Sequence, residues 1–157
     1  MKSIVEEKQI SFKSLEQKVF AYICELGREI TRIMLESYDA ELAEERDKSL
    51  YRDKGKRSTT IKTVYGEMVY ARRVYHTKLE DGRKAFVYLL DEAMQMDKIG
   101  LFSTNLVEKI AMTVTESPPY RVTADIISET CGQSISHGGV NHSQVSRHIF
   151  VKKVREQ

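Results

Sequence analysis

Apolar residues in the first third of the chain recur at steps of three and four. The recurrence runs from Ser11 to about Asp47 and predicts a helix with one apolar stripe. The stripe consists of Phe12, Leu15, Val19, Tyr22, Ile23, Leu26, Ile30, Ile33, Met34 and Leu42. Ser11 or Ser14 can cap its start. We therefore predict that a first segment, residues 1–50, is a long amphipathic helix that serves as a scaffold or as an oligomer seam.

The pattern changes in the second segment, residues 51–90. Between residues 58 and 90 the chain is rich in Thr, Val, Tyr and Phe, which fit a half-buried pleated surface. Gly66 and the triplet that ends at Gly82 interrupt this pattern as turns do. We expect a three-stranded antiparallel meander with strands near residues 58–64, 67–77 and 83–89.

Helical spacing returns in the third segment, residues 91–157. Ser103 can cap a helix that continues through Val114. Ser117 can cap a second helix, with Pro118 and Pro119 in its first turn and Gly132 just beyond its end. The residues expected to face inward from this second helix are Val122, Ile126 and Ile127.

A turn and a third helix follow this second helix. Ile135 is expected to fill the turn, and Ser136 can cap a helix that begins at His137. In a helix-turn-helix module such a helix lies in the major groove, where Ser136, His137 and Asn141 would contact base edges. A plain helical hairpin within a core is the alternative. The fold class predicted overall is α+β: a long N-terminal helix, a three-stranded meander and C-terminal helices of helix-turn-helix type.

The charge of the chain is concentrated in its middle. The net charge of the whole chain is +2, yet residues 48–84 carry eleven basic and four acidic side chains, a net of +7. A basic block of this kind suits a surface that binds a polyanion, although an ordinary solvated surface has the same composition.

Five basic residues in this block are candidates for phosphate contacts. Lys54, Lys56 and Arg57 lie with Gly55 in what the sequence predicts to be a flexible loop before the sheet, although an exposed linker is an equal alternative. Arg72 and Arg73 lie on the middle strand and must point to opposite faces, so we expect one of the two to contact DNA.

Other kinds of site find little support in the sequence. Cys24 and Cys131 are far apart, and neither belongs to a CxxC pair. Cys131 and His137 supply at most two metal ligands without a second pair, so we expect no metal and no cofactor. No apolar run reaches the length of a membrane span, and the N-terminus lacks the apolar stretch of a signal peptide. We expect a cytoplasmic protein that does not bind a membrane.

Four blocks of the chain resemble one family in the order expected for it. They are ESYDAELAEERDK with YRDKGKRSTTIKTVYGEMVYARRVY, then YLLDEAMQMDKIGLFSTNLVEKIAMTVTES, and then YRVTADIISETCGQSISHGGV. These blocks resemble the N-terminal part of ISLre-type insertion-sequence transposases, of the Mutator-like DDE group. The resemblance covers roughly residues 1–140.

The resemblance implies a DNA-binding portion that recognises the terminal repeats of an insertion sequence. Three carboxylates holding two divalent metals would cut and join strands in a later domain of the family, and no such carboxylates carry over to this chain. We therefore expect a truncated transposase without catalytic activity of its own.

The tail from about residue 141 departs from the family pattern. NHSQVSRHIFVKKVREQ lacks a clean helical stripe, because Ile149, Phe150 and Val151 are consecutive. We interpret it as a replaced sequence, such as a frameshift produces. Two alternatives to DNA binding stay open: a non-functional remnant, and a protein-interaction fragment that associates with itself or with full-length transposase through the first helix.

Overall fold

A computed structural model of the chain describes residues 11–79, 82–96, 102–115, 119–132, 134–136, 138 and 140. The elements in order are α1 (Phe12–Glu45), β1 (Arg52–Thr63), β2 (Gly66–Lys78), β3 (Lys84–Val87), α2 (Leu89–Ala93), α3 (Thr104–Thr115) and α4 (Tyr120–Thr130). The predicted α+β class, with a long N-terminal helix, an antiparallel three-stranded sheet and further short helices, is confirmed. None of the helices within these ranges is long and apolar enough to cross a membrane.

Helix α1 begins where the sequence predicts. The Ser14 amide donates to Ser11 Oγ at 3.2 Å, which satisfies one of the unpaired N–H groups at the start of the helix. The 34 residues of α1 have no proline to interrupt them. The face that α1 buries is not the predicted apolar stripe, because its buried residues are Cys24, Leu35, Asp39 and Ala43.

The sheet is an antiparallel meander in the order β1-β2-β3. Its first strand starts at Arg52, so the predicted flexible loop at residues 54–57 is wrong: these residues belong to β1. The physical reason is the length of β2, whose 13 residues offer backbone partners as far as His76. Pairing with a long neighbour thus overrides the low strand propensity of lysine and glycine.

Strand β3 is short and leaves part of β2 without a strand neighbour. It pairs only with Tyr75–Lys78 of β2. On the part of β2 that β3 does not reach, two carboxylates of α1 accept hydrogen bonds from the backbone of β2. The Ala71 amide donates to Glu36 Oε1 at 2.9 Å, and the Arg73 amide donates to Asp39 Oδ1 at 2.9 Å. The exposed edge that such a strand would otherwise present is therefore covered by the helix.

Two clusters of buried side chains form the interior. One joins α1, the sheet and α2, and it contains Leu35, Ile61, Met68, Tyr70 and Leu90. The other joins α3, α4 and the residues after α4, and it contains Phe102, Leu106, Val107, Ile110, Ala124, Ile127, Cys131, Ile135 and Val140. The clusters meet at the end of β1, where the Ser103 amide donates to the Lys62 carbonyl at 2.9 Å.

The C-terminal helices follow the prediction in part. Ser103 caps α3, since the Leu106 amide donates to Ser103 Oγ at 3.3 Å. Helix α4 has Pro119 at its N-cap, without a side-chain cap bond, while Ser117 and Pro118 lie outside the described residues.

The inward face of α4 is also different from the expected one. Ile127 is buried, as predicted, but Val122 and Ile126 are 42% and 38% exposed, so the prediction for these two residues is wrong. Thr123 and Ala124 lie inside instead. Small side chains let α4 approach its neighbours closely, which a count of hydrophobic residues does not reveal.

Gly132 follows α4 and contacts the turn between β1 and β2. Its amide donates to the Val64 carbonyl at 2.9 Å. A Cβ at this position would lie 2.4 Å from the carbonyl oxygen of Tyr65 and 2.8 Å from Cys24 Sγ. The close approach of two backbones therefore explains the glycine. Ile135 is buried after the turn, as predicted.

We predict that Gly132→Ala lowers the free energy of unfolding by about 2 kcal/mol or more, because the new methyl group overlaps backbone atoms that cannot move independently. The matched control is Gly138→Ala, where the nearest heavy atom to the new Cβ is Ser136 Oγ at 3.8 Å. Urea denaturation followed by circular dichroism measures both. Equal stabilities of the two variants would contradict the packing described for Gly132.

Candidate nucleic-acid interface

A bulge in β1 decides which side chains share a face of the sheet. The pairing of β1 with β2 shifts register between Asp53 and Lys56. Gly55 lies in this bulge with φ at 88°, and its amide donates to Asp53 Oδ1 at 2.7 Å. Side chains normally alternate, so residues 52 and 57 would point to opposite faces of a regular strand. The extra residue in the bulge turns both to the same face, where Arg52 pairs with His76 and Arg57 pairs with Arg72.

One face of the sheet therefore collects positive charge around an exposed aromatic ring. Strand β3 adds to it, since Phe86 pairs with His76 and Lys84 pairs with Lys78. We call the following six residues the basic face: Arg52, Lys54, Arg57, His76, Lys84 and Phe86.

Phe86 lies at the centre of the basic face. Phe86 is 60% exposed. The Arg57 guanidinium carbon lies 5.7 Å from its centroid, a cation–π distance, and the His76 ring lies 5.4 Å away. The Phe86 ring thus contacts the guanidinium of Arg57, a residue exposed at the surface of the sheet.

The pKa of His76 responds to the positive charges of the basic face. Partial burial lowers the pKa of His76 from its ordinary value, and the positive charges of Lys54, Lys84 and Arg52 lower it further. The register agrees with this grouping, since Lys84 is two residues from Phe86 and Lys54 is two residues from Arg52, and Phe86 and Arg52 are the strand partners of His76. A binding surface for phosphate oxygens has this character, because several cations lie together.

Lys56 lies on the other face of the sheet. It pairs with Arg73 in the register of β1 and β2, and its side chain is exposed. Lys54 and Arg57 are therefore placed with the basic face, whereas Lys56 is separated from them by the sheet.

Arg72 is turned inward to α2. Its guanidinium forms an ion pair with Asp91 and lies over the Tyr88 ring, 4.1 Å from the centroid. The side chains of Arg72 and Asp91 are only 17% and 11% exposed. Partly buried pairs of this kind lose several kcal/mol when one partner is removed, so Arg72 is held by the interior of the protein.

Arg73 is held in the same way on the opposite face. Its Nη1 lies 2.9 Å from Asp39 Oδ2, and its Nε lies 3.6 Å from Asp53 Oδ2. The prediction that Arg72 and Arg73 point to opposite faces is confirmed by these partners. Both guanidinium groups are bound by carboxylates and largely buried, whereas the sequence analysis expected one of the two to contact DNA.

The predicted base-reading residues are only partly described. Ser136 is exposed after the turn that follows α4, and the backbone at Gly138 and Val140 is helical. His137 and Asn141 lie outside the described residues. The prediction that these three read bases stays a prediction.

Sequence reasoning missed Arg52, His76, Lys84 and Phe86 as members of the site. Their grouping depends on strand register and on the bulge at Gly55, and neither follows from composition. The signal that does exist in the sequence is the Asp-Lys-Gly-Lys stretch at residues 53–56, since a glycine inside a strand often marks a bulge.

No metal site emerges from the described part of the chain, where no three His, Cys, Asp or Glu side chains are grouped so as to hold an ion. Cys131 is a buried free thiol, and His137, its possible partner, is not among the described residues.

Comparison with known proteins gives one family. A family model described as an uncharacterised protein family (UPF0236) matches residues 5–156. No curated protein and no solved structure matches the chain. The matched range runs through the tail from residue 141, which weighs against our interpretation of that tail as a replaced sequence.

We predict that Lys84→Ala and Lys54→Ala each raise the pKa of His76, because removing a neighbouring positive charge makes protonation of the imidazole less costly. Lys13→Ala, on the exposed start of α1, is the matched control and should leave the pKa unchanged. A titration of the His76 ring followed by NMR measures all three. An unchanged pKa in both test variants would contradict the grouping of the basic face.

Proposed function

The chain belongs to the uncharacterised protein family UPF0236, and from this premise we propose that it binds DNA as the DNA-recognising portion of an insertion-sequence transposase of the ISLre type. The substrate is the terminal repeat of the element, and the place of action is the cytoplasm. The observation that carries the proposal is the basic face, in which several cations lie around an exposed aromatic side chain.

The geometry of the basic face supports binding to a phosphate backbone. Arg57 offers a planar fork of N–H donors that matches phosphate oxygens, while Lys54 and Lys84 act as point charges. Lys54 and Arg57 lie on β1 and Lys84 lies on β3, the two strands that flank β2, so the cations are spread across the width of the sheet, where phosphate oxygens could contact them. The contacts would hold the protein on any duplex, and they carry no sequence information.

Sequence recognition is assigned to the region after α4. The order of α4, a turn filled by Ile135 and a helical backbone at Gly138 and Val140 fits the helix-turn-helix layout. Ser136, His137 and Asn141 lie at the start of the second helix of that layout, where contacts to base edges occur. These three residues would distinguish a terminal repeat from an unrelated duplex.

The chain is proposed to bind DNA without cutting it. The resemblance assigns the metal-binding carboxylates to a later domain of the family. Of the acidic side chains present here, Glu36, Asp39 and Asp91 take part in contacts that hold the fold. Cleavage of a terminal-repeat duplex by the purified chain with Mg²⁺ or Mn²⁺ would contradict this part of the proposal.

We predict that the triple variant Lys54→Ala/Arg57→Ala/Lys84→Ala weakens binding to all duplexes alike. The slope of log affinity against log salt should fall by about three units, since each lost phosphate contact releases about one counterion fewer. Lys13→Ala serves as the control for loss of charge elsewhere. Gel-shift titrations at several salt concentrations measure the slope.

Two further comparisons sharpen the test. Lys56→Ala should change the slope less than Lys54→Ala, because Lys56 lies on the other face of the sheet. Wild-type protein should bind the terminal repeats more tightly than an unrelated duplex at physiological salt, and Asn141→Ala should reduce that preference. An unchanged salt slope in the triple variant would refute the basic face as the binding surface.

A further inference from the structure

The outward side of α1 is covered with large apolar side chains. Eleven of them, from the first turn to the last third of the helix, are between 36% and 74% exposed. We call these residues the α1 stripe: Phe12, Leu15, Val19, Phe20, Tyr22, Ile23, Leu26, Ile30, Ile33, Met34 and Tyr38. At about 100° per residue they occupy a single sector roughly 160° wide.

The stripe is not the face that holds α1 to its own sheet. That role belongs to the opposite side, where Cys24, Leu35, Asp39 and Ala43 are buried and where the carboxylates of Glu36 and Asp39 bind the edge of β2. The hydrogen bonds of Glu36 and Asp39 thus fix the rotation of α1 about its own axis. Turning α1 so as to bury the stripe against the sheet would break those contacts, so the sheet does not cover the stripe.

The amount of exposed apolar surface fits a stable interface. Eleven side chains at about half exposure leave on the order of 1,000 Å², against about 800 Å² per partner in a typical protein complex. Monomeric proteins rarely leave more than a few hundred Å² of contiguous apolar surface exposed. The stripe alone is therefore large enough to hold two chains together.

The charges of α1 select the partner and its direction. The exposed charged residues near the start of the helix are Lys13, Glu16 and Lys18, a net of +1, whereas Glu41, Glu44 and Glu45 near its end give a net of −3. Acidic residues at a helix C-terminus are unfavourable to the helix dipole. A second α1 running antiparallel would bring its basic start beside this acidic end, while a parallel one would place like charges together.

We propose that a second copy of the chain covers the α1 stripe, with the two helices antiparallel and Leu26 on the two-fold axis. Positions equidistant from Leu26 then meet across the interface. Val19 faces Ile33, and Tyr22 faces Ile30, so apolar side chains meet apolar side chains along the centre. Near the ends, Lys13 of one copy comes within a helical turn of Glu41 of the other. This arrangement does not depend on whether the chain binds DNA.

The first test is the oligomeric state of the full 157-residue chain by sedimentation velocity. Wild type is expected to be a dimer, and Leu26→Asp/Ile30→Asp is expected to weaken the dimer by about 100-fold or more, because both changes place charges in the centre of the interface. Circular dichroism should be unchanged, since both side chains are about half exposed and neither belongs to the buried clusters. Val122→Asp, at an exposed apolar residue of α4 outside the stripe, is the matched control and should stay dimeric.

The second test fixes the direction of the helices. In a background with Cys24→Ala and Cys131→Ala, a mixture of Val19→Cys and Ile33→Cys proteins should form a disulfide-linked dimer on oxidation, and Val19→Cys alone should not. Crosslinking of Val19→Cys with itself would overturn the antiparallel arrangement. A wild-type chain that stays monomeric at about 100 μM, well above the dissociation constants of typical stable interfaces, would overturn the dimer and leave the DNA-binding proposal to its own salt-slope test.

Discussion

Two carboxylates of α1 hold the sheet and the helix in a single relation. Strand β2 is longer than β3, so the amides of Ala71 and Arg73 have no strand partner, and Glu36 and Asp39 accept them instead. Asp39 is only 1% exposed and also binds the Arg73 guanidinium. A carboxylate so deeply buried is stable only with such partners. Both the sliding of α1 along β2 and its rotation are therefore fixed.

The two surfaces proposed for binding both follow from this relation. Once α1 turns its carboxylates to β2, its apolar side points away from the sheet and becomes available to a second chain. The helix also leaves the first residues of β1 uncovered, so the cations around Phe86 stay in contact with solvent. The protein thus has an apolar surface on the helix and a charged surface on the sheet, and neither competes with the other for the same residues.

The sequence predicted the positions of the helices along the chain better than which side of each helix is buried. The ends of helix α1 were predicted to within two residues, because apolar residues that recur every three or four positions over so long a stretch predict only a helix. The face that it buries was not predicted, since Asp39 and Glu36 are held by β2 amides far away in the chain. For α4, hydrophobicity favoured Val122 and Ile126, while the packing used Thr123 and Ala124.

The candidate site shows the same limit. Lys54 and Arg57 were identified from the charge of the residues around them in the sequence, which does not depend on the tertiary structure. Arg72 and Arg73 were chosen on the same ground, but Asp91 and Asp39 bind them, and only the tertiary structure brings these carboxylates close. Arg52 was missed because its position on the basic face depends on the bulge at Gly55.

The end of β1 is joined to the helical region at two points. The Lys62 carbonyl accepts the Ser103 amide just before α3, and the Val64 carbonyl accepts the Gly132 amide just after α4. One such link would act as a pivot, around which the helices could swing. Two links on one short stretch of strand restrict that rotation and hold α3 and α4 in one relation to the sheet. Under the DNA-binding proposal, the fit to a curved duplex would therefore depend on deformation of the DNA more than on bending of the protein.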